Sequence, residues 1–196
     1  MKATKSPDDD IPTLPFPEQE DWADWLRKNH AKSLGVWLRL AKKSSGFQSV
    51  SYAEALEIAL CYGWIDGQKK SYDELWWLQK FTPRGGKSIW SKINKAKAEE
   101  LIESGRMKPA GLQAVDLAKQ DGRWDAAYDS ASAATVPADL QARLNKSAKA
   151  KAFFATLDSG NRYAILFRIQ TAKKAETRAR RIEQFVEMLE RKEKLH

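Results

Sequence analysis

Cysteine and histidine are nearly missing from this chain, and the shortage excludes several chemistries at once. The one cysteine, Cys61, rules out an intramolecular disulfide; it falls in the apolar run Ala59-Leu60-Cys61-Tyr62, where a small buried thiol is the ordinary role. With His30 and His196 as the only imidazoles, a structural zinc site lacks ligands, and no base is placed near Cys61 to activate it. No metal and no cofactor are expected. Apolar runs are short as well: none approaches the roughly 20 residues of a membrane-spanning helix, and the first residues lack the apolar core of a signal peptide. These absences predict a cytoplasmic protein without transmembrane insertion. No repeat period unites the segments, which argues against a solenoid.

Acidic residues are also in deficit, with 26 Asp and Glu against 34 Lys and Arg and a net charge of +8. The distribution says more than the sum. Residues 1–31 are net acidic through Asp8-Asp9-Asp10 and the stretch Glu18 to Asp24. Basic blocks at Gln68–Lys97 and Gln141–His196 flank a more acidic stretch, Ala98–Leu140. Such blocks suit nucleic acid, a phosphorylated metabolite or an acidic partner, and solvated helix faces give the same statistics.

At 196 residues the chain is long enough for an ordinary core. Residues 1–17 combine three aspartates with Pro7, Pro12, Pro15 and Pro17, which predicts an extended, disordered acidic arm. Residues 18–104 read as an α+β core in the order α-β-α-β-β, with a small antiparallel sheet. Trp22, Trp25 and Leu26 share a helical face, Val36 to Leu40 alternates as a strand, and Ala41 to Gly46 is a basic turn. Ser51-Tyr52-Ala53-Glu54 is a capping box that opens a helix ending at Gly63. Trp64–Lys70 and Leu75–Phe81 read as a hairpin around residues 71–74. Helices are predicted over 88–104, 109–119, a short segment after Pro137, 148–157, 159–172 and 175–194, so residues 105–196 form a helical region and a candidate subdomain.

The densest chemistry lies between Cys61 and Asn94. Strand alternation puts Trp64, Asp66 and Lys70 on one face, with Lys80 across the hairpin. Pro83-Arg84-Gly85-Gly86-Lys87-Ser88 offers amides and cations without the spacing of a phosphate-binding P-loop. On the helix expected from Ser88, Ser91 and Asn94 lie along one side with Trp90 beside them. A ligand site is therefore expected from Lys70, Lys80, Arg84 and Lys87 as cations, Ser88, Ser91 and Asn94 as hydrogen-bonding groups, and Trp64 or Trp90 as an apolar wall. A rival reading uses Asp66 or Asp73 as a catalytic acid or base with Arg84 stabilising negative charge; Asp66 in a structural ion pair is the alternative. A third makes Trp37 or Trp76, with the basic face Arg178, Arg180 and Arg181 of the last helix, a surface for a protein partner. Seven of the eight tryptophans fall between Trp22 and Trp90, where core packing competes with base stacking.

The chain resembles the YdeI/OmpD-associated family, also named for bacteriocin protection. The resemblance rests on Cys61-Tyr62-Gly63-Trp64-Ile65-Asp66-Gly67, Phe81-Thr82-Pro83-Arg84, Ser88-Ile89-Trp90-Ser91-Lys92-Ile93-Asn94, Gly105 to Leu112, Ala118 to Trp124 and Glu176 to Ile182. These islands cover nearly everything beyond Trp22. Gly85-Gly86 stands where Arg-Pro is usual, and Ala175 where proline is common before Glu-Thr-Arg. The resemblance implies a soluble bacterial protein connected by name with bacteriocin and envelope-stress protection, and supplies no biochemical activity. The residues themselves favour a binding protein for an anionic ligand over an enzyme.

Overall fold

A computed structural model describes residues 11–196; the run Asp8-Asp9-Asp10 and the rest of residues 1–10 lie outside the described residues. The chain forms two compact units, one of residues up to Ser88 together with Asn94–Asp125, the other of Ile89–Ile93 together with Ala126–His196. The expected division after residue 104 thus falls further along the chain.

In the first unit the elements run β1 (Thr13–Pro15), α1 (Gln19–Asn29), β2 (Val36–Ala41), α2 (Tyr52–Cys61), β3 (Trp64–Ser71) and β4 (Trp76–Pro83). The sheet order is β1-β2-β4-β3, with β4 antiparallel to both its neighbours and β1 parallel to β2. This is the α+β architecture expected, with a mixed rather than purely antiparallel sheet. Residues 13–15, expected in the unpaired arm, are extended but paired. An edge strand tolerates proline because its outward N–H has no ladder role. The amide of Trp37 donates to the Pro12 carbonyl at 2.9 Å, and buried Phe16 packs 5.2 Å from Trp22.

One face of the sheet meets helices. Trp22 of α1 lies 5.6 Å from Phe81 of β4 and 6.4 Å from Trp64 of β3, and all three are essentially inaccessible to water. The indole N–H groups of these two tryptophans have acceptors: Trp22 donates to the Ala55 carbonyl at 3.0 Å and Trp64 to the His30 carbonyl at 3.1 Å. These bonds avoid the cost of about 1–3 kcal/mol that an unsatisfied buried donor carries.

β3 departs from strict alternation. Asp66 pairs with Phe81, but Lys69 pairs with Gln79, so a bulge adds one residue on β3. The buried Gln79 amide donates to the carbonyls of Gly67 and Gln68 at 3.0 and 3.2 Å, supplying bonds that the broken ladder cannot. The bulge moves Lys69 to the face of Asp66 and sends Lys70 to the other face, where its ammonium sits 4.1 Å from the Trp37 ring. The expected grouping of Asp66 with Lys70 is therefore corrected.

α3 runs Lys92–Glu103 and α4 Pro109–Gln120. α3 starts four residues later than expected because the backbone groups of a helical turn at 88–91 are used elsewhere: the Ser88 carbonyl accepts from Arg123 at 2.9 Å, and the Lys92 amide donates to Tyr128 at 2.8 Å. α4 belongs to the first unit and crosses α2 at close range. Gly63, at φ +71°, and Gly111 both leave no room for a side chain there.

Glu57 of α2 ties this corner together, accepting from Lys97 at 3.2 Å and Arg106 at 3.0 Å. Burial opposes its charged form, but the bonds from Arg106 and Lys97 outweigh burial and hold its carboxyl below the ordinary glutamate range. A depressed folded-state pKa gives stability that is present above the ordinary range and lost as pH falls through the lower folded value. Glu57→Gln is expected to cost about 1 kcal/mol near neutral pH and to flatten the acid limb of a thermal-melt pH series. An unchanged acid limb would remove Glu57 as a contributor.

The second unit holds α5 (Ala138–Asn145), α6 (Ala148–Thr156), α7 (Ser159–Gln170) and α8 (Ala175–Glu190). Ser147 and Asp158 cap α6 and α7 as their positions predict, accepting from the amides of Ala150 and Asn161. Leu140, Leu144, Ile165, Ile169, Val186 and Leu189 meet in its core. Arg178 donates to both oxygens of Asp139 at 2.6 and 2.9 Å and to the Ile169 carbonyl at 3.0 Å. Arg181 donates to the Arg168 carbonyl. Two arginines of the expected docking face thus hold helices to one another.

Candidate functional site

A cleft of about 930 Å³ lies in the first unit, between the end of β2, the 42–50 loop, the start of α2 and the far ends of β3 and β4. The loop is pinned along its length. The Lys42 amide donates to the Leu75 carbonyl at 2.9 Å and its ammonium to the Asp73 carbonyl at 2.7 Å. Ser49 Oγ accepts from the Ala41 amide at 2.9 Å, and the Val50 amide donates to Phe16. A loop tied at both ends gives a preformed concave surface, the usual character of a small-molecule site.

Its chemistry is one-sided. Lys42, Lys43, Lys69 and Lys70 line it, and no carboxylate does so among the described lining residues. Tyr52, Trp77 and Phe47 supply the apolar wall. Lys69 Nζ rests 4.5 Å from the centre of the half-buried Trp77 ring, and the Tyr52 ring is 6.2 Å from it. Tyr52 donates its hydroxyl to Asp66 at 2.9 Å. The positive end of α2 also reaches the cleft, but Glu54 already occupies it. Glu54 accepts from the Ser51 amide at 2.8 Å, and that bond first, then the one involving the Ser51 hydroxyl, holds its carboxyl below the usual range. The positive character of the cleft therefore comes from its lysine ammoniums rather than from helix amides.

The residues singled out from sequence are distributed differently. Trp64 is a core residue. Lys70 and Lys80 flank Trp37 on the opposite sheet face, their ammoniums 4.1 and 5.7 Å from its ring; beside them Arg39 sits 4.8 Å over Trp76. Trp37 is only 3% exposed and so offers little surface to a protein partner, whereas Trp76 is half-buried and lies 5.4 Å from Phe47. Arg84 reaches Ser88 Oγ at 3.4 Å, Lys87 is exposed and Asn94 half-buried. Trp90 and Ser91 belong to the second unit, where the Trp90 carbonyl accepts from Tyr128 and Ser91 bridges to it. Lys70 pairs with Leu78, six residues before Arg84, which separates the two by roughly 20 Å of strand. The expected site is thus not one pocket, and Lys70 alone borders the cleft.

The candidate acids are spent on local structure. Asp73 accepts from the amides of Leu75 and Trp76 at 2.8 Å each, an Asx turn that closes the hairpin. It lies at the end of β4 opposite Arg84, on the order of 25 Å away. Asp66 meets Tyr52 rather than a cation in its hydrogen bond. Cys61 is buried, and burial pushes its thiol up, away from the reactive thiolate. The lysine pair 42–43, the exposed Phe47 and Tyr52 were the sequence signals for the cleft. They sit in a segment that reads as a connector, because its partners Lys69 and Trp77 lie some thirty residues on.

Residues 14–114 match the family model described as a domain of unknown function (DUF8412), and residues 133–192 match that described as bacteriocin-protection, YdeI or OmpD-associated. Neither the curated proteins nor the solved structures yield a match. No helix among the described residues is long and apolar enough to cross a membrane. With the first match spanning just over half of the chain and the second most of the α5–α8 unit, the protein belongs to the DUF8412 family and carries a bacteriocin-protection, YdeI or OmpD-associated domain at its C-terminal side.

Proposed function

We propose that the first unit is a binding module for an anionic ligand, held in the cleft between the 42–50 loop and the end of the β3–β4 hairpin. The observation that carries this reading is a cleft lined by Lys42, Lys43 and Lys69, with the stem of Lys70 at its border and its ammonium on the other sheet face, and by no carboxylate among the described lining residues. Clustered like charges repel one another, and a bound anion relieves that repulsion. Asp66 and Asp73 both have backbone or side-chain duties and do not converge with Arg84, so binding is better supported than acid-base catalysis. The family description over residues 133–192 supplies the biological setting of the proposal, protection against a bacteriocin.

Calorimetric titration of the full chain with inorganic pyrophosphate tests it. Binding is expected at low ionic strength and should weaken several-fold as salt screens the lysines. Heat that stays at the dilution baseline at low ionic strength would overturn the proposal.

A further inference from the structure

We infer that the ligand of this cleft is a nucleotide-class molecule, a flat heteroaromatic ring joined to a phosphate, with the ring on Trp77 and the phosphate between Lys43 and Lys69; the inference rests on the anion-binding reading above.

The cleft holds aromatic surface as well as charge. Trp77 belongs to β4, pairing with Leu40 on one side and Ser71 on the other, so the sheet fixes where its indole points. The ring is half-buried and faces the cleft, with Tyr52 tilted at 46° beside it and Phe47, 57% exposed, at the mouth. A cleft meant only for a small inorganic anion has no use for three aromatic rings, because a phosphate gains from hydrogen bonds and ammoniums and not from apolar surface. A flat ring gains from both the apolar area and the stacking geometry.

Lys69 already covers one face of the Trp77 indole. Its ammonium, 4.5 Å from the centre of the Trp77 ring, occupies the position over the π face that a stacked base would take. The lysine stem is flexible, so a ring sliding onto Trp77 displaces the ammonium by a few ångströms to the edge of that ring, where the phosphate of the same ligand would lie. One contact is exchanged for two: the ligand ring replaces the cation on the indole, and the cation meets an anion. Lys43, exposed on the loop, closes on the phosphate from the other side, while Lys42 stays committed to the Asp73 carbonyl. The hydroxyl of Ser49 is already used by the backbone and the Gln48 amide donates to Glu18, so recognition of the sugar is left to Ser71. At about 930 Å³ the cleft has room for a mononucleotide.

Titrations of the unmodified full chain with ADP, adenosine and pyrophosphate at low ionic strength test the inference. ADP is expected to bind at least tenfold more tightly than either part alone, and Trp77→Leu to weaken ADP about tenfold while leaving pyrophosphate within twofold. Pyrophosphate as tight as ADP would overturn the ring assignment and leave anion binding standing. Adenosine as tight as ADP would overturn the anion reading, and no binding of any of the three would overturn both. A single-stranded oligoadenylate binding tenfold more tightly than ADP would replace a free nucleotide by nucleic acid. The ligand series needs no variant, so it decides the matter even where Trp77→Leu fails to fold.

Discussion

Gly111→Ala is expected to destabilise the first unit by about 3 kcal/mol or more, read as a large drop in melting temperature with the loss of cooperative unfolding of the α2–α4 corner. A Cβ at Gly111 would stand 2.3 Å from the Cys61 carbonyl oxygen, 2.4 Å from Met107 Sδ and 2.8 Å from the Leu60 carbonyl oxygen. The methionine can move; the two carbonyls belong to the last turn of α2 and cannot move without that helix. The Cys61 carbonyl also accepts from the Lys108 amide at 3.1 Å, so retreat would break the bond that opens α4. Helix propensity alone predicts the opposite sign, a gain of about 1 kcal/mol for glycine to alanine within a helix. The clash wins because relieving it takes a shift of roughly 1 Å between close-packed helices. A variant as stable as the parent, or more so, would show that α2 and α4 separate cheaply and that the close approach has no structural weight.

The double variant Lys43→Glu with Lys69→Glu is expected to lower pyrophosphate affinity about 100-fold at low ionic strength, since in a water-facing site the attraction lost and the repulsion gained at each reversal together amount to about 1.4 kcal/mol. Both lysines are exposed, so the fold should tolerate the change within about 0.5 kcal/mol. The control is Lys87→Glu with Lys149→Glu, which alters net charge equally at two exposed positions that do not line the cleft. Equal losses in the two double variants would mean that pyrophosphate answers the net charge of the protein and not this cleft. A loss confined to the cleft variant would locate the site.

Elements with a local cause are legible in the amino-acid order. The Ser51–Glu54 capping box, the caps at Ser147 and Asp158, the alternating run at Val36 and the apolar faces of α1 and α8 depend on residues within one or two turns of each other, so a linear reading finds them. The expected site fails for the opposite reason. Its residues are grouped by nearness along the chain and by strict strand alternation, and neither governs where the side chains meet. The bulge between Asp66 and Lys69, held by a glutamine from the neighbouring strand, reverses the face of Lys70. A late start to α3, imposed by Arg123 and Tyr128, removes Ser88 from the helix.

What the amino-acid order determined by itself is most of the elements and their locally capped ends, the α+β class, the surplus of positive charge and the family resemblance, because each is written in short-range pattern or in composition; the pairing of β1 and the start of α3 were not. Only the tertiary structure decided which cations share a cavity. Lys43 and Lys69 are 26 positions apart and meet at the cleft because β2 pairs with β4 and β4 with β3, while Lys70, next to Lys69, is turned to the other face by a single extra residue. Strand pairing joins what the chain separates, and the two-residue period of a strand separates what the chain joins.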